Sequence, residues 1–331
     1  MSNPLTIATV QASRFFILRK FGRQLKPVID RTRDIRRSDV LLVTCLRDEL
    51  TRMPFFVDYY RKLGVNHFLV IDNGSSDGFL DWAKTQPDMS VWFTRSSYKA
   101  AKFGMEWCNY LLRKYGTEHL CVTVDPDEFL VYPCMETRSL RDLGEYMKME
   151  KRETFHTVML DAYSDKPLSQ TIYRSGDNPF EVCPYIDRDG YVQISTPNMP
   201  TYTRGGPRMR VHNRLNPDKS PALNKIPVVW WKWNFRYVSS THDLKPMRLM
   251  RVQDPFNPTI TGALFHFKFF SSLTDKAMEE MRRKQHFEGG AEYLRYASEK
   301  DPVFYEEGIS VRYESIEQLM RLGLICRGNW L

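Results

Sequence analysis

The 331-residue chain lacks several features that would fix its class at once. No stretch approaches the ~18 continuous apolar residues of a membrane-crossing helix. No basic n-region leads into an apolar run and a small-residue cleavage site, so no secretory signal is expected. Cysteine is sparse: six residues, at 45, 108, 121, 134, 183 and 326. None is in C-x-x-C spacing, which argues against a zinc ribbon or a thioredoxin-type site and favours reduced thiols in the cytosol. There is no internal repeat and no low-complexity tract. Net positive charge is scarce outside one segment. The net charge is +8, yet residues 1–38 hold nine Lys/Arg and two Asp, a net +7, which leaves +1 for the other 293 residues. A body so nearly neutral disfavours a generally basic, nucleic-acid-coating surface.

The basic segment has its own pattern. In residues 11–26, Phe15, Leu18, Phe21 and Leu25 fall near helical spacing among Arg14, Arg19, Lys20, Arg23 and Lys26, and Pro27 limits the helix. Such a helix suits an anionic membrane surface, or packs on the body with its charges solvated. The expectation is a cytoplasmic protein, peripheral on the inner face of the cell membrane if the first reading holds.

After Arg37 the chain alternates between strands and helices. Val40–Leu46 is a continuous apolar run, as for a strand buried on both faces. A helix follows, with Thr51 as candidate N-cap, Pro54 in the first turn and Gly64 as stop. Strands are then expected at 67–71, 91–94 and 120–124, with helices over 79–85 and 99–115. This spacing predicts an α/β fold with a mainly parallel, Rossmann-like sheet flanked by helices. A helix capped by Ser139 and a strand over 155–160 follow. Residues 164–220 read as long loops. Strands are expected again at 228–233 and 264–270, and helices over 275–286, 290–298 and 314–322. The expected division is 1–38 as basic extension, 39–162 as a ligand-binding half and 163–331 as an irregular second half of the same domain.

Two acidic loops lie at carboxyl ends of predicted parallel strands, where ligands bind in such sheets. One runs from Asp72 through Asn73-Gly74 to Asp77, the last a candidate N-cap. The other is Asp125-Pro126-Asp127-Glu128. Carboxylates at i and i+2 on extended backbone project to one side and suit a hard cation, Mg²⁺ or Mn²⁺, that keeps positions for phosphate oxygens. Asp72 is placed to accept hydrogen bonds from a nucleobase or ribose.

The segments TCLRDE (44–49), LGVNHFLVIDNGSSDG (63–78) and VDPDEFL (124–130) resemble the donor half of soluble family-2-like glycosyltransferases of GT-A fold. Their pattern is R-N-E, then L-G-V…D-N-x-S-x-D-G, then D-x-D-E-F, and Asp48 here replaces the usual Asn. GGPR (205–208), NKIP (224–227), STH (240–242) and FHFK (265–268) are similar to later segments of the same group, so the likeness covers about residues 39–300. It implies inverting transfer of a sugar, UDP-sugar favoured, from a nucleoside diphosphate sugar to an acceptor hydroxyl. A carbohydrate or glycolipid acceptor and a role in cell-surface polysaccharide assembly would follow. By position, Asp72 would contact the nucleoside, Asp125 ribose or metal, and Asp127 the metal.

The expected donor-binding set is Thr44, Asp72, Asp125, Arg208, Lys225 and Lys268. The expected metal set is Asp125 and Asp127 with His266 and His242. On a strand over 264–270, His266 and Lys268 would share a face. The Arg204–Arg210 loop reads as a carrier of guanidinium groups to phosphate, or as an exposed basic loop. Trp231 and Trp233 would lie together, opposite Trp230. For the base, His286 and Asp161 lead, with Asp187, Asp189, Glu279 and Glu280 eligible by type. The rivals are a sugar nucleotidyltransferase, which would need a Gly-rich phosphate loop after the first strand, and a non-catalytic carbohydrate- or nucleotide-binding protein with a degenerate site.

Overall fold

The structure is a computed structural model that describes residues 16–194, 202–250, 259–273 and 301–330. The predicted helices at 275–286 and 290–298, with Glu279, Glu280 and His286, lie outside the described residues, as do residues 1–15.

The strands of the main sheet are β1 (Lys26–Ile29), β2 (Val40–Leu46), β3 (His67–Asp72), β4 (Met89–Phe93), β5 (Leu120–Thr123), β6 (Glu128–Val131), β7 (Thr154–Asp161), β11 (Asn224–Trp230) and β14 (Thr261–His266). Their order is β1-β4-β3-β2-β5-β11-β7-β14-β6. β4, β3, β2 and β5 are mutually parallel, and β14 is parallel to β7. β11 lies antiparallel between β5 and β7, while β1 and β6 close the edges antiparallel. β2–β5, β7 and β14 therefore run in one direction, so the sheet is mostly parallel, as the alternation predicts. Three two-stranded ribbons complete the strands: β8 (Tyr185–Asp187) with β15 (Ser310–Arg312), β9 (Val192–Ile194) with β10 (Tyr202–Arg204), and β12 (Arg236–Ser239) with β13 (Asp243–Lys245).

Alternation along the strands divides the core into two layers. Leu42, Leu46, Phe68 and Val70 pack under the helices Met53–Lys62, Phe79–Lys84 and Leu140–Met149. Leu41, Val43, Leu69 and Ile71 pack on the other face with Trp107, Cys108 and Leu111 of the helix Met105–Leu111. Gly64, at φ 100°, ends the first helix in the left-handed region, and Ser139 forms a capping box with Asp142. Thr51 is not the cap expected of it: the N-cap position falls on Arg52, with no side-chain bond. All six cysteines are free thiols.

The basic segment departs from the predicted single amphipathic face. Phe21 and Leu25 are buried in the second core layer, the Trp107 indole N–H donates to Gln24 Oε1 at 2.8 Å, and residues 26–29 form the edge strand β1. Phe16 and Ile17 point outward, with Arg19, Lys20 and Arg23 also exposed. No helix of the described residues is long and apolar enough to cross a membrane.

Candidate nucleotide and metal site

The acidic loops meet because the strands that lead into them end at one edge of the sheet. In the parallel register Leu46 of β2 stands opposite Asp72, the last residue of β3. β5 ends at Thr123 and delivers Asp125 to the same edge. Antiparallel β11 begins there and contributes Lys225 from its start. β14 brings His266 opposite Asp161 of β7 on one side and Glu128 of β6 on the other.

Glu128 and Lys225 form a buried pair, with Nζ 2.9 Å from Oε1. The other Glu128 oxygen accepts the Asp125 backbone N–H at 3.1 Å, which fixes the start of the acidic loop. Lys225 also lies 4.0 Å from Asp125 Oδ2. Burial opposes the Lys225 charge, but Glu128 and Asp125 outweigh it and hold the ammonium above its ordinary range. Asp125 keeps about half of its side chain (49 %) open to solvent. Desolvation of its carboxylate, and then repulsion from Glu128, raise it to about 7 against the pull of Lys225. Asp127 is 26 % exposed and faces His266 Nε2 at 3.4 Å.

His266 is held from its other nitrogen. Nδ1 lies 2.7 Å from Asp161 Oδ1, and the second Asp161 oxygen accepts from Arg208 Nε at 2.7 Å. Burial alone would depress His266, but Asp127 and Asp161 lift it to about 9. Burial likewise pushes Asp161 up, and Arg208 and His266 overcome this and hold it below the usual carboxylate range. With both oxygens engaged and the side chain fully buried, Asp161 does not fit the base expected of it. It anchors Arg208 and orients the His266 ring.

Asp72 is fully buried. Oδ1 accepts the Ser75 N–H at 2.8 Å, whereas Oδ2 has no protein partner, and burial raises its pKa. Thr44 Oγ1 on neighbouring β2 is also buried without a partner. Orphaned buried polar atoms of this kind mark a place where a polar ligand completes the hydrogen bonding. Asp77 proves structural: its oxygens accept the N–H groups of Leu50 and Phe79. Thr44, Asp125, Glu128 and Thr241 border a crevice of only about 10 Å³, so a ligand would lie across its mouth.

Other expected residues are placed differently. Arg208 is not on an exposed loop: it sits in the first turn of the helix Gly206–His212, buried against Asp161. His242 Nδ1–H donates to the Asn224 carbonyl at 2.6 Å. Burial and the neighbouring cations Lys225, Arg208 and Arg204 depress it to about 3. Of the two histidines expected at a metal, only His266 is brought against Asp127. β14 stops at His266, so the predicted shared face with Lys268 ends with the strand, and Lys268 is half-buried just beyond it. β11 likewise stops at Trp230, which leaves Trp231 buried in the second core layer and Trp233 exposed. The sequence pattern gave no sign that Glu128, although part of the VDPDEFL segment, would pair with Lys225.

Among the described residues, no three or more His, Cys, Asp or Glu are gathered into a metal cage. The groups that do face open space are the Asp125 and Asp127 carboxylates, beside the His266 imidazole. Mg²⁺ and Mn²⁺ are commonly held by one or two carboxylates, with substrate phosphates completing the shell. This partial set of donors fits that mode.

No protein-family model matches the chain, and no curated protein matches it. Among solved structures, it is similar to the mannosyltransferase PcManGT from Pyrobaculum calidifontis in complex with GDP-Man and Mn²⁺. The identity is 14 % and the TM-score 0.28, over 51 % of this chain and 53 % of that one. The chain thus spans about half the length of that protein.

Proposed function

We propose that the chain is a metal-dependent glycosyltransferase that moves a sugar from a nucleoside diphosphate sugar, UDP-sugar favoured, to a hydroxyl of a carbohydrate or glycolipid acceptor. The observation that carries this reading is the pairing of two features at one sheet edge. One is the open Asp125/Asp127 pair beside His266. The other is the buried, unpartnered Asp72 Oδ2 and Thr44 Oγ1.

In this reading Asp72 and Thr44 accept from the base and ribose. Asp127 and Asp125 would hold Mn²⁺ or Mg²⁺, and His266 Nε2 could join them only after giving up its proton. The metal would supply charge stabilisation to the departing diphosphate. Lys225 keeps the acidic loop from self-repulsion, and Asp161 with Arg208 fixes His266. In an inverting displacement the acceptor oxygen bonds to the anomeric carbon as its bond to the phosphate oxygen breaks. The electron pair leaves with the diphosphate, and the hydroxyl proton goes to a base. Asp161 is unsuited to that base, and His286 lies outside the described residues. The sharp turn after β2, Leu46-Arg47-Asp48-Glu49, has no glycine, which disfavours a nucleotidyltransferase phosphate loop.

The test is a screen of nucleotide sugars for Mn²⁺-dependent hydrolysis, with Asp127→Ala beside the parent. The parent is expected to release nucleoside diphosphate only with metal, and the variant to lose that release while still unfolding in one cooperative transition. Undiminished metal-dependent release by the variant defeats the reading. We further propose that exposed Phe16 and Ile17, with Arg19, Lys20 and Arg23, rest on an anionic membrane face. Charge reversal at those three cations should abolish partitioning to phosphatidylserine vesicles while leaving β1 in place. Unchanged partitioning refutes it.

A further inference from the structure

A cleft of about 760 Å³ lies away from the acidic site. Val40 and Leu120, the first residues of β2 and β5, line it together with Trp230, the last residue of antiparallel β11. These three neighbouring strands thus have the candidate catalytic edge at one end and this cleft at the other, about 20 Å apart for a strand of this length.

The cleft is strongly cationic in an otherwise nearly neutral body. Arg37, Arg141, Lys148, Lys151, Arg152 and Lys232 line it against three carboxylates, Glu118, Glu145 and Glu153. The acids are partly spent: Glu153 pairs with Lys232 at 2.6 Å and also with Arg248, and Glu145 pairs with Lys148 at 2.9 Å. Arg141 and Lys148 are one face of the helix Leu140–Met149, at a spacing of two turns. The Lys148 ammonium is fixed 3.7 Å from the Trp230 ring centroid, so it is pre-positioned at the wall. Arg37 and Lys151 are exposed and have no ion-pair partner among the described residues. Trp231, which also lines the cleft, is 1 % exposed, and its indole N–H lacks an acceptor. The Trp231 ring belongs to the core layer on the opposite sheet face, so the cations alone set the chemistry of this wall, which calls for a ligand carrying negative charge.

We propose that this cleft is a second binding site, for an acidic oligosaccharide whose carboxylates meet Arg37, Lys151 and Arg141. A polyanion larger than a single phosphate matches the volume and the number of cations along the wall. The choice of a glycan over other anions rests on the transferase reading; the anion site itself does not. Bound there, an acidic chain would be tethered behind the site that extends it.

Calorimetry on the full chain in EDTA tests this, with a galacturonic acid tetramer, a neutral maltotetraose and pyrophosphate as probes. The proteins are the parent, Arg37→Gln/Lys151→Asn and Asp127→Ala. Both changes in the double variant are on exposed side chains, and Asn suits the positive φ of Lys151, so its urea midpoint should match the parent. The tetramer is expected to bind parent and Asp127→Ala alike and the double variant about ten-fold more weakly, with maltotetraose silent. The proposal is overturned if the parent does not bind the tetramer, if the double variant binds it as the parent does, or if Asp127→Ala loses it. Pyrophosphate binding that depends on Arg37 and Lys151, with the tetramer silent, overturns the glycan class. A bound tetramer without metal-dependent hydrolysis of any nucleotide sugar would defeat the transferase reading and leave the cleft standing.

Discussion

Replacing Asp161 by Asn removes one charge from a buried chain of four groups and leaves its shape. Asp161 is fully buried, between Arg208 and His266, whose side chains are 6 % and 10 % exposed. Removing one partner of a buried pair strands the other, at a cost of about 3–5 kcal/mol. Part of this cost must depend on pH. His266 stands at about 9 in the folded chain against 6.5 unperturbed. A raised histidine contributes stability that is full below its unfolded value and is lost as pH rises through its folded value. The whole lift corresponds to about 3 kcal/mol, shared between Asp127 and Asp161. Asp161→Asn should therefore be most damaging near pH 6 and less so above about pH 9, where His266 is neutral in both proteins and only the Arg208 term remains. Urea unfolding of parent and variant at the two pH values measures the difference. A penalty below about 1 kcal/mol near pH 6, or one equal at both pH values, would refute the reasoning.

Two further outcomes follow from the geometry. Asp72→Asn should keep the bond from the Ser75 N–H and relieve a buried carboxylate whose pKa burial has raised, so the urea midpoint should hold or rise. Nucleotide affinity, read by calorimetry with UDP and Mn²⁺, should nevertheless fall about ten-fold; unchanged affinity would remove Asp72 from the donor site. Gly262→Ala should destabilise by about 1–3 kcal/mol, because a Cβ there would meet the Val131 carbonyl oxygen at 2.6 Å and the Phe155 ring at 2.7 Å. Thermal unfolding of that variant at the parent midpoint would show that β14 can move away from β6.

Local sequence signals were enough to specify the parallel half of the fold. Apolar runs such as Val40–Leu46 and His67–Asp72, punctuated by Gly64 and the Asn73-Gly74 turn, are local signals that need no distant partner. The same runs place Asp72 and Asp125 at strand ends, so that half of the candidate site was legible. Tertiary structure alone decided the other half. The contacts of Asp161 with Arg208 and His266 span 47 and 105 residues of chain, and nothing in the local pattern of either segment announces them. The insertion of β11 between β5 and β7 is equally non-local, and it carries Lys225 to Glu128. The early ends of β11 and β14 undid the predicted pairings of Trp231 with Trp233 and of His266 with Lys268, because strand alternation holds only while the ladder continues. Residues 26–29, at and just beyond the Pro27 limit expected for the basic helix, became an edge strand because β4 offered an unpaired edge beside a core that takes Phe21 and Leu25.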